Sequence, residues 1–332
     1  MSKIVYLFGA GASANALPVI DGIPARINSV IDKLKELSFE SVEYFKNISQ
    51  ASKQECLDSL IADLGWLRDN SAMHATIDTF AKKLYIKHQD KDLVRLKNAL
   101  SVFFTIEQIK RPDPRYDSFF ASLLGSSPHA LPKEVAVISW NYDCQFEHTY
   151  SEYINSDLST SQSVLNVGCK YDRDSYSDRV SGFRILKING SASLTRIDMG
   201  GSGGNYYYHE SLNHWNKEVA ESIIMKYGFI KHLNHLRNLL SFSWEREDDK
   251  LMENIAKVGE DTTTVVVIGY SFPYFNREID RKIFESMPNL KTIYFQDINP
   301  QNIISRFQAI SSRQIAKVPI LDTQQFFLPP EL

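Results

Sequence analysis

The most constraining feature of the chain is an apolar run that leads directly into a turn of small residues. Residues 4–8 offer no polar face, which is typical of a strand buried on both sides in a parallel sheet. The turn that follows consists of Gly9, Ala10, Gly11, Ala12, Ser13 and Ala14. Gly9, Gly11 and Ala14 fit the G-x-G-x-x-G/A spacing of a dinucleotide-binding turn, in which a pyrophosphate lies over a helix N-terminus. Packing of the strand against its neighbours is the alternative role for such a turn.

The chain after this turn departs from an ordinary Rossmann dehydrogenase. Such a fold returns to a second strand and places an acidic residue about 20 residues on, where it binds the adenine ribose. Asp32 and Glu36 lie near that distance, but residues 27–37 space their apolar side chains at i, i+3, i+4 and i+7, which predicts a helix. Strand-like sequence does not return before Val135. We therefore expect a helical insertion after the first strand.

Later apolar segments predict further strands, and helical segments alternate with them. The predicted strands are residues 135–139, 183–188, 264–268 and 291–296, and the predicted helices between and after them are residues 144–153, 212–240, 248–257 and 277–285. This alternation predicts a parallel sheet covered by helices on both faces. The fold class is therefore α/β, with a Rossmann-like domain at residues 1–26 and 132–332 and a helical insertion module at residues 27–131.

Composition narrows the classes of function. The 332 residues carry a net charge of -3, which gives no general attraction to nucleic acid or to anionic membranes. No apolar run approaches the roughly 18 residues of a membrane span. Cys56, Cys144 and Cys169 form no C-x-x-C pair, so we expect neither a zinc site nor a disulfide framework. A reducing, cytoplasmic location is the simplest interpretation.

Polar residues follow the ends of the later predicted strands. They are Asn141 and Asp143 after the first, Asn189, Gly190 and Ser191 after the second, and Gly269, Tyr270 and Ser271 after the third. Because the carboxyl ends of parallel strands meet at one edge, where open α/β sheets bind their ligands, we expect these residues and the Gly9–Ser13 turn to line one cleft. Each cluster taken alone is equally suited to a helix cap or a turn.

The ordered set of motifs resembles the sirtuin-like family of NAD-consuming proteins, most closely its branch in bacterial antiphage defence. The motifs are GAGAS, SWNYD, KINGS and GYSF with a following aspartate. The resemblance covers residues 1–37 and 135–307, whereas the insertion matches only as a helical segment. It implies a Rossmann-like fold and NAD+ as the bound substrate.

The resemblance also implies individual roles. The residues that would hold the NAD+ diphosphate are Gly9, Ala10, Gly11, Ala12 and Ser13. Asn141 and Asp143 would lie beside the nicotinamide ribose, and Gly190 and Ser191 are further binding candidates. The loop against the adenosine half would be Gly269, Tyr270 and Ser271, with Asp297 and Asn299 at the adenine end. Pro18 and Pro24 both fit the family's proline after the turn.

The chain departs from the family at the catalytic base. A histidine-glycine pair usually follows the strand matched by residues 186–188, but this chain has Asn189 followed by Gly190. An amide cannot accept a proton at neutral pH, although it can position a ribose hydroxyl or a water molecule. His148, His209 and His214 are alternative bases. The paired cysteines of the family's protein deacetylases are absent, which disfavours deacetylation.

We therefore expect an NAD+ glycohydrolase with Asn141, Asp143 and Asn189 as its catalytic residues and no metal. The resemblance implies a homo-oligomer and a protein partner, such as a HerA-type ATPase or an Argonaute-like sensor, without sequence-specific nucleic-acid binding or membrane association. A non-catalytic sensor of NAD+ or ADP-ribose and an assembly subunit with a vestigial site are the alternatives, and Asn189 favours the sensor.

Overall fold

The computed structural model describes residues 3–19, 22–45, 48, 50–109, 112–169, 182–197, 204–208, 214–233, 236–245 and 249–332. The strands are β1 (Lys3–Phe8), β2 (Val135–Ser139), β3 (Val167–Cys169), β4 (Arg184–Lys187), β5 (Gly190–Ile197), β6 (Asn205–Tyr207), β7 (Leu236–Leu240), β8 (Thr262–Ile268), β9 (Thr292–Gln296) and β10 (Ala316–Ile320). The helices are α1 (Ile23–Lys35), α2 (Lys53–Met73), α3 (Ile77–Ile86), α4 (Asp90–Glu107), α5 (Pro114–Leu123), α6 (Gln145–Ile154), α7 (Leu158–Val164), α8 (Lys217–His232), α9 (Asp249–Gly259), α10 (Arg277–Glu285) and α11 (Pro300–Gln308).

The chain divides into two compact units. The first, called the sheet unit, comprises Met1–Asn15, Pro112–Gly190 and Ser243–Leu332. The second, called the helical unit, comprises Ala16–Arg111 and Ser191–Phe242.

The sheet unit is built on seven strands in the order β10-β9-β8-β1-β2-β4-β3. Strand β1 is central and pairs in parallel with β2 on one side and with β8 on the other. The remaining neighbours in this sheet are also parallel. The predicted α/β class with a Rossmann-like parallel sheet is confirmed, and helices α1 to α5 lie between β1 and β2 along the chain.

Helices cover both faces of this sheet, because alternate side chains of β1 enter two separate cores. Val5 and Leu7 pack into one core with apolar side chains of α9, α10 and α11. Tyr6 and Phe8 pack into the other with α5 and α6. Phe8 is fully buried there, in edge-to-face contact with Phe119, Phe146 and Phe326. Full burial of such a side chain stabilises the fold by roughly 1.5–3 kcal/mol, so the apolar run at the start of the chain anchors both layers.

The helical unit packs α1, α2, α3, α4 and α8 with a three-stranded sheet in the order β6-β5-β7. Helix α2 begins with a capping box formed by Ser52 and Glu55, which satisfies two backbone donors that a helix start leaves open. A buried carboxylate, Asp63, is paired with Arg95 and Lys231. None of the helices in the described ranges is long and apolar enough to cross a bilayer.

The units differ from the predicted domain bounds in three places, and the first is residues 16–26, which we assigned to the Rossmann-like domain and which belong to the helical unit. Residues 112–131, which we assigned to the insertion, belong to the sheet unit because Tyr116, Phe119 and Phe120 of α5 pack beneath the sheet. Residues 191–242, which we assigned to the Rossmann-like domain, belong to the helical unit. Contacts with α2 and α4 hold them there, including hydrogen bonds from Asn238 to Asn98 and from Lys53 to Glu221. The helix predicted over residues 212–240 ends at His232, and β7 follows it.

Candidate functional site

The sequence-predicted residues of the sheet unit lie at one edge of the parallel sheet. Strands β8, β1, β2 and β4 are consecutive neighbours, so the loops that follow them start side by side. The chain leaves β1 toward β2 on one side and later returns to β8 on the other. The carboxyl ends of β1 and β8 therefore form a topological switch point, which is where open α/β sheets bind ligands.

The glycine turn contacts the loop after β8 backbone to backbone. The amide of Gly11 donates to the carbonyl oxygen of Gly269 at 3.0 Å. A Cβ added at Gly11 would lie 2.8 Å from the Gly269 Cα, and one added at Gly9 would lie 2.6 Å from the Tyr270 Cα. Gly269 itself has a φ of 59°, in the left-handed region that favours glycine. The glycines of both loops are therefore required by this close approach, whatever else the turn binds.

Several backbone amides of the turn already donate hydrogen bonds to carbonyl oxygens of the protein. The Gly9 amide donates to the Ile268 carbonyl at 3.0 Å, and the Ala12 amide donates to the Gly9 carbonyl at 2.9 Å within a short 3-10 turn over Ala10–Ser13. Ala10 is the exposed residue of that turn. A diphosphate that binds here would therefore approach the Ala10 side, because the amides of Gly9, Gly11 and Ala12 already have acceptors.

Ser13, Asn141 and Asp143 form one hydrogen-bonded cluster. The Ser13 hydroxyl donates to Asp143 Oδ2 at 2.7 Å and lies 2.8 Å from the hydroxyl of Tyr116. Asn141 Nδ2 donates to the Gly9 carbonyl at 3.0 Å, with Ser13 Oγ at 3.4 Å. Two motifs 130 residues apart in sequence are thus joined by direct contacts.

A buried lysine lies beneath this cluster. Lys187, the last residue of β4, donates to the Asp143 carbonyl oxygen at 2.7 Å and pairs with Glu147 of α6. Burial lowers the pKa of Lys187, but Glu147, Cys144 and Asp143 outweigh it and the net pKa is raised. Burial raises the pKa of Asp143, while the Lys187 charge and the Ser13 hydrogen bond oppose that rise.

Asn189 lies next to the loop that carries Asn141. Its Nδ2 donates to the Trp140 carbonyl at 2.8 Å. In the described part of the chain, no donor reaches its buried Oδ1. Trp140 in turn stacks on Tyr270, with ring centroids 5.4 Å apart and planes within 8°. The two asparagines are therefore neighbours, and Asn189 keeps one acceptor for another group.

The side chain of Arg115 donates hydrogen bonds to the glycine turn. Its Nη2 donates to the carbonyls of Gly11 at 3.2 Å and Ala12 at 3.0 Å, and its guanidinium pairs with Asp113. Burial raises the pKa of Asp113, but the Arg115 hydrogen bonds and charge and the Asn15 amide hold the net pKa below its ordinary value. This pair was not identified in the sequence analysis.

The remaining predicted residues lie further along the edge or outside the cluster. Gly190 begins β5 at the border of the sheet unit, and Ser191 belongs to the helical unit. Ser271 is exposed, and its carbonyl accepts from Arg306 at 3.1 Å. Asp297 follows β9, and its carboxylate accepts from the Asn299 amide at 2.8 Å.

Among the alternative bases, His148 is buried on α6 and His214 belongs to the helical unit. His209 lies outside the described residues. Within the described residues, no histidine is a hydrogen-bond partner of the Asn141, Asp143 or Asn189 side chain. Within the described ranges, no group of three His, Cys, Asp or Glu residues could hold a metal ion.

Comparison with known proteins adds no relative. No model of a known protein family matches the chain, and no curated protein sequence matches it significantly.

Proposed function

We propose that the chain is a sirtuin-like NAD+ glycohydrolase that releases nicotinamide and leaves ADP-ribose. The observation that carries this proposal is the cluster of Ser13, Asn141 and Asp143 between the glycine turn and the end of β2. It supplies neutral donors and a carboxyl group beside the switch point of a parallel sheet, where a ribose would be held. The motif order GAGAS, SWNYD, KINGS and GYSF is the second support.

The proposed reaction depends little on a general base. The bond between nicotinamide and the ribose breaks with its electron pair on the pyridine nitrogen, so nicotinamide leaves as a neutral molecule. Water adds to the ribose carbon and its proton passes to solvent. The protein then has to hold the ribose, stabilise positive charge on it and admit one water. Asn141 and Asp143 do this in the proposal, and Asn189 Oδ1 accepts from the water or a ribose hydroxyl.

The wider role rests on the resemblance. We propose a cytoplasmic homo-oligomer that depletes NAD+ in antiphage defence. A protein partner such as a HerA-type ATPase or an Argonaute-like sensor controls it, without membrane attachment or sequence-specific nucleic-acid binding. NAD+ is the substrate and no metal takes part.

A non-catalytic sensor of NAD+ or ADP-ribose is the second candidate. Asn189 stands where the family has its base, and its amide is engaged with the Trp140 carbonyl. General bases commonly contribute about 10²–10⁴-fold to a rate. A sensor would keep the ribose contacts while losing this contribution.

Release of nicotinamide from NAD+, measured with and without a candidate partner, tests the proposal. We expect Asn141→Ala to abolish turnover because it removes the contact with the turn. Asn189→Ala should cost up to about tenfold, the worth of one hydrogen bond. Asn189→His should preserve or raise the rate. The matched control is Asn254→Ala, which removes only a solvent-exposed hydrogen bond to the Lys250 carbonyl on α9 and should change nothing.

Calorimetric binding of NAD+ separates the candidates. Binding without turnover under any activating condition supports the sensor. A loss above roughly a thousandfold in Asn189→Ala would contradict the positioning role given to this residue. No binding at millimolar NAD+, even with a partner, would overturn both candidates.

A further inference from the structure

A small cavity of about 170 Å³ lies beside the loop that follows β8. Phe272, Tyr274 and Arg277 line one side of it, and Ser305 and Arg306 of α11 line the other. Among the described residues, its lining contains two arginines and no acidic side chain. Nothing in the proposed NAD+ chemistry uses these side chains.

Both guanidinium groups keep unused donors. Arg306 donates one N–H, from Nη1 to the Ser271 carbonyl at 3.1 Å. The Arg277 guanidinium carbon lies 4.9 Å from the ring centroid of Tyr274. Within the described ranges, neither arginine is paired with a carboxylate. Because a guanidinium has five N–H donors in a planar fork, most of this hydrogen-bonding capacity remains for a ligand.

The aromatic side of the cavity is open. Tyr274 is 81% exposed, although large aromatic side chains bury well in protein cores. One face of its ring is occupied by Arg277 in a cation–π contact. A planar group could therefore stack on the ring without displacing packed protein.

The loop between these groups is strained and held in place. Phe272 has a φ of 49°, a left-handed conformation that is a genuine outlier for a bulky side chain. Its ring is buried against Phe284, Phe295 and Phe307, which fixes the conformation. Strained residues of this kind cluster at ligand sites because the surrounding packing pre-organises them.

We propose that this cavity binds a phosphate monoester carried on a planar ring. The guanidinium groups of Arg277 and Arg306, which pair with no described carboxylate, match the charge and the oxygens of a phosphoryl group, and the Tyr274 ring matches the planar group. The volume suits a phosphoryl group with the edge of one ring, because whole drug-sized ligands occupy pockets of about 300–1,000 Å³. The cavity borders the loop that the resemblance assigns to the adenosine half of NAD+, because Arg306 donates to the Ser271 carbonyl, but its lining is a different set of residues.

Phenyl phosphate is the probe, since it carries the phosphoryl group and the ring without an adenine or a ribose. We expect saturable binding by phosphorus NMR, with inorganic phosphate binding more weakly. Arg277→Gln and Arg306→Gln should each weaken binding of phenyl phosphate at least tenfold. Tyr274→Ala should weaken phenyl phosphate but leave inorganic phosphate unchanged. Arg281→Gln, which alters an exposed arginine of α10, is the matched control and should bind as the wild type does.

Three results would overturn the proposal. They are the absence of saturable binding, equal binding by wild type and Arg306→Gln, and full displacement of phenyl phosphate by NAD+, which would make the two sites one. A chain that binds phenyl phosphate but neither binds nor cleaves NAD+ would overturn only the proposed function, so the two failures are distinguishable.

Discussion

The two halves of the sheet edge differ in the groups that lie beside their buried carboxyl side chains. In the half formed by the ends of β1, β2 and β4, the buried carboxyl of Asp143 lies near the buried ammonium of Lys187, which also pairs with Glu147. In the half formed by the ends of β8, β9 and β10, the buried carboxyl of Asp280 accepts from the neutral hydroxyl of Tyr270 at 3.0 Å. We call these the lysine half and the arginine half, because the cations of the second are Arg277 and Arg306 at the surface.

This difference separates the kinds of group that each half can recognise. In the lysine half, the buried Lys187 ammonium partly offsets the buried carboxyl groups of Asp143 and Glu147, and the free acceptor of Asn189 is neutral. Ribose hydroxyls, released nicotinamide and water suit that surface because they are uncharged. The arginine half offers two guanidinium groups that have no acidic partner among the described residues, and it suits anions. The predictions below test this division, starting with the largest expected effect.

Replacing the buried lysine should have the largest effect on stability. Lys187→Met would take the ammonium from Glu147 and from the Asp143 carbonyl, and both are buried. Breaking a buried ion pair by removing one partner typically costs about 3–5 kcal/mol of unfolding free energy. Urea unfolding followed by tryptophan fluorescence should show this as a lower midpoint.

Two further variants show whether burial is the reason. The double variant Lys187→Met with Glu147→Leu should recover most of the loss, because no uncompensated charge is left inside. Glu278→Gln breaks a surface pair with Lys282 at 3.7 Å and should leave the midpoint unchanged. A Lys187→Met protein as stable as the wild type would show that the lysine half does not depend on this charge.

The strands of the central sheet were predictable where they are long and apolar. Strands β1, β2, β4, β8 and β9 all coincide with predicted segments, since strands buried on both faces have no polar alternation to confuse the pattern. The missed strands had weaker signals. Strand β3 has three residues, and β10 contains a proline and is largely accessible at the edge of the sheet. The apolar residues of β7 continue the pattern of the preceding helical segment, so the sequence predicts one long helix over both.

The site was predictable only in its loop residues. Polar residues after strand ends identified Asn141, Asp143 and Asn189, because topology brings strand ends together. Lys187 escaped notice since a charge at the end of a short strand looks like an exposed terminus, and its partner is 40 residues away. Likewise, Tyr116 reads as an ordinary apolar position of α5, and only the tertiary structure places its hydroxyl beside Ser13.

The second prediction concerns the contact of Gly11 with Gly269, which joins the glycine turn to the loop after β8 and is called the seam between the halves. Gly11→Ala would place a methyl group 2.8 Å from the Gly269 Cα and 3.1 Å from its carbonyl oxygen, so the two loops must separate. We expect a loss of about 1–3 kcal/mol, as for overpacking of a well-packed core, and weaker NAD+ binding if the proposed site is correct. The measurements are urea unfolding and calorimetry.

Gly65→Ala is the matched control for the seam. Gly65 lies inside α2, and an added Cβ meets nothing within 4 Å. Because glycine weakens a helix interior by about 0.5–1 kcal/mol relative to alanine, this variant should be more stable. If both variants change stability in the same direction, the close approach of Gly11 and Gly269 is not what fixes the seam.

The last prediction concerns Asp280 in the arginine half, which should give the smallest effect near about pH 4 and the clearest dependence on pH. Burial raises the pKa of Asp280 well above its ordinary value, and the Tyr270 hydrogen bond only partly opposes this. The folded protein therefore holds this proton more tightly than the unfolded chain does. The resulting stabilisation is fully present below the unfolded pKa of about 3.9 and is lost as pH rises through the folded pKa.

Asp280→Asn should therefore differ least from the wild type near about pH 4 and become the more stable protein toward about pH 8. Asp143→Asn should show a weaker divergence, because the Lys187 charge partly offsets the burial that raises the pKa of that carboxyl. Urea midpoints measured across this range decide the matter: parallel curves for Asp280→Asn and wild type would mean that the arginine half also compensates its buried charge, and the contrast between the halves would fail.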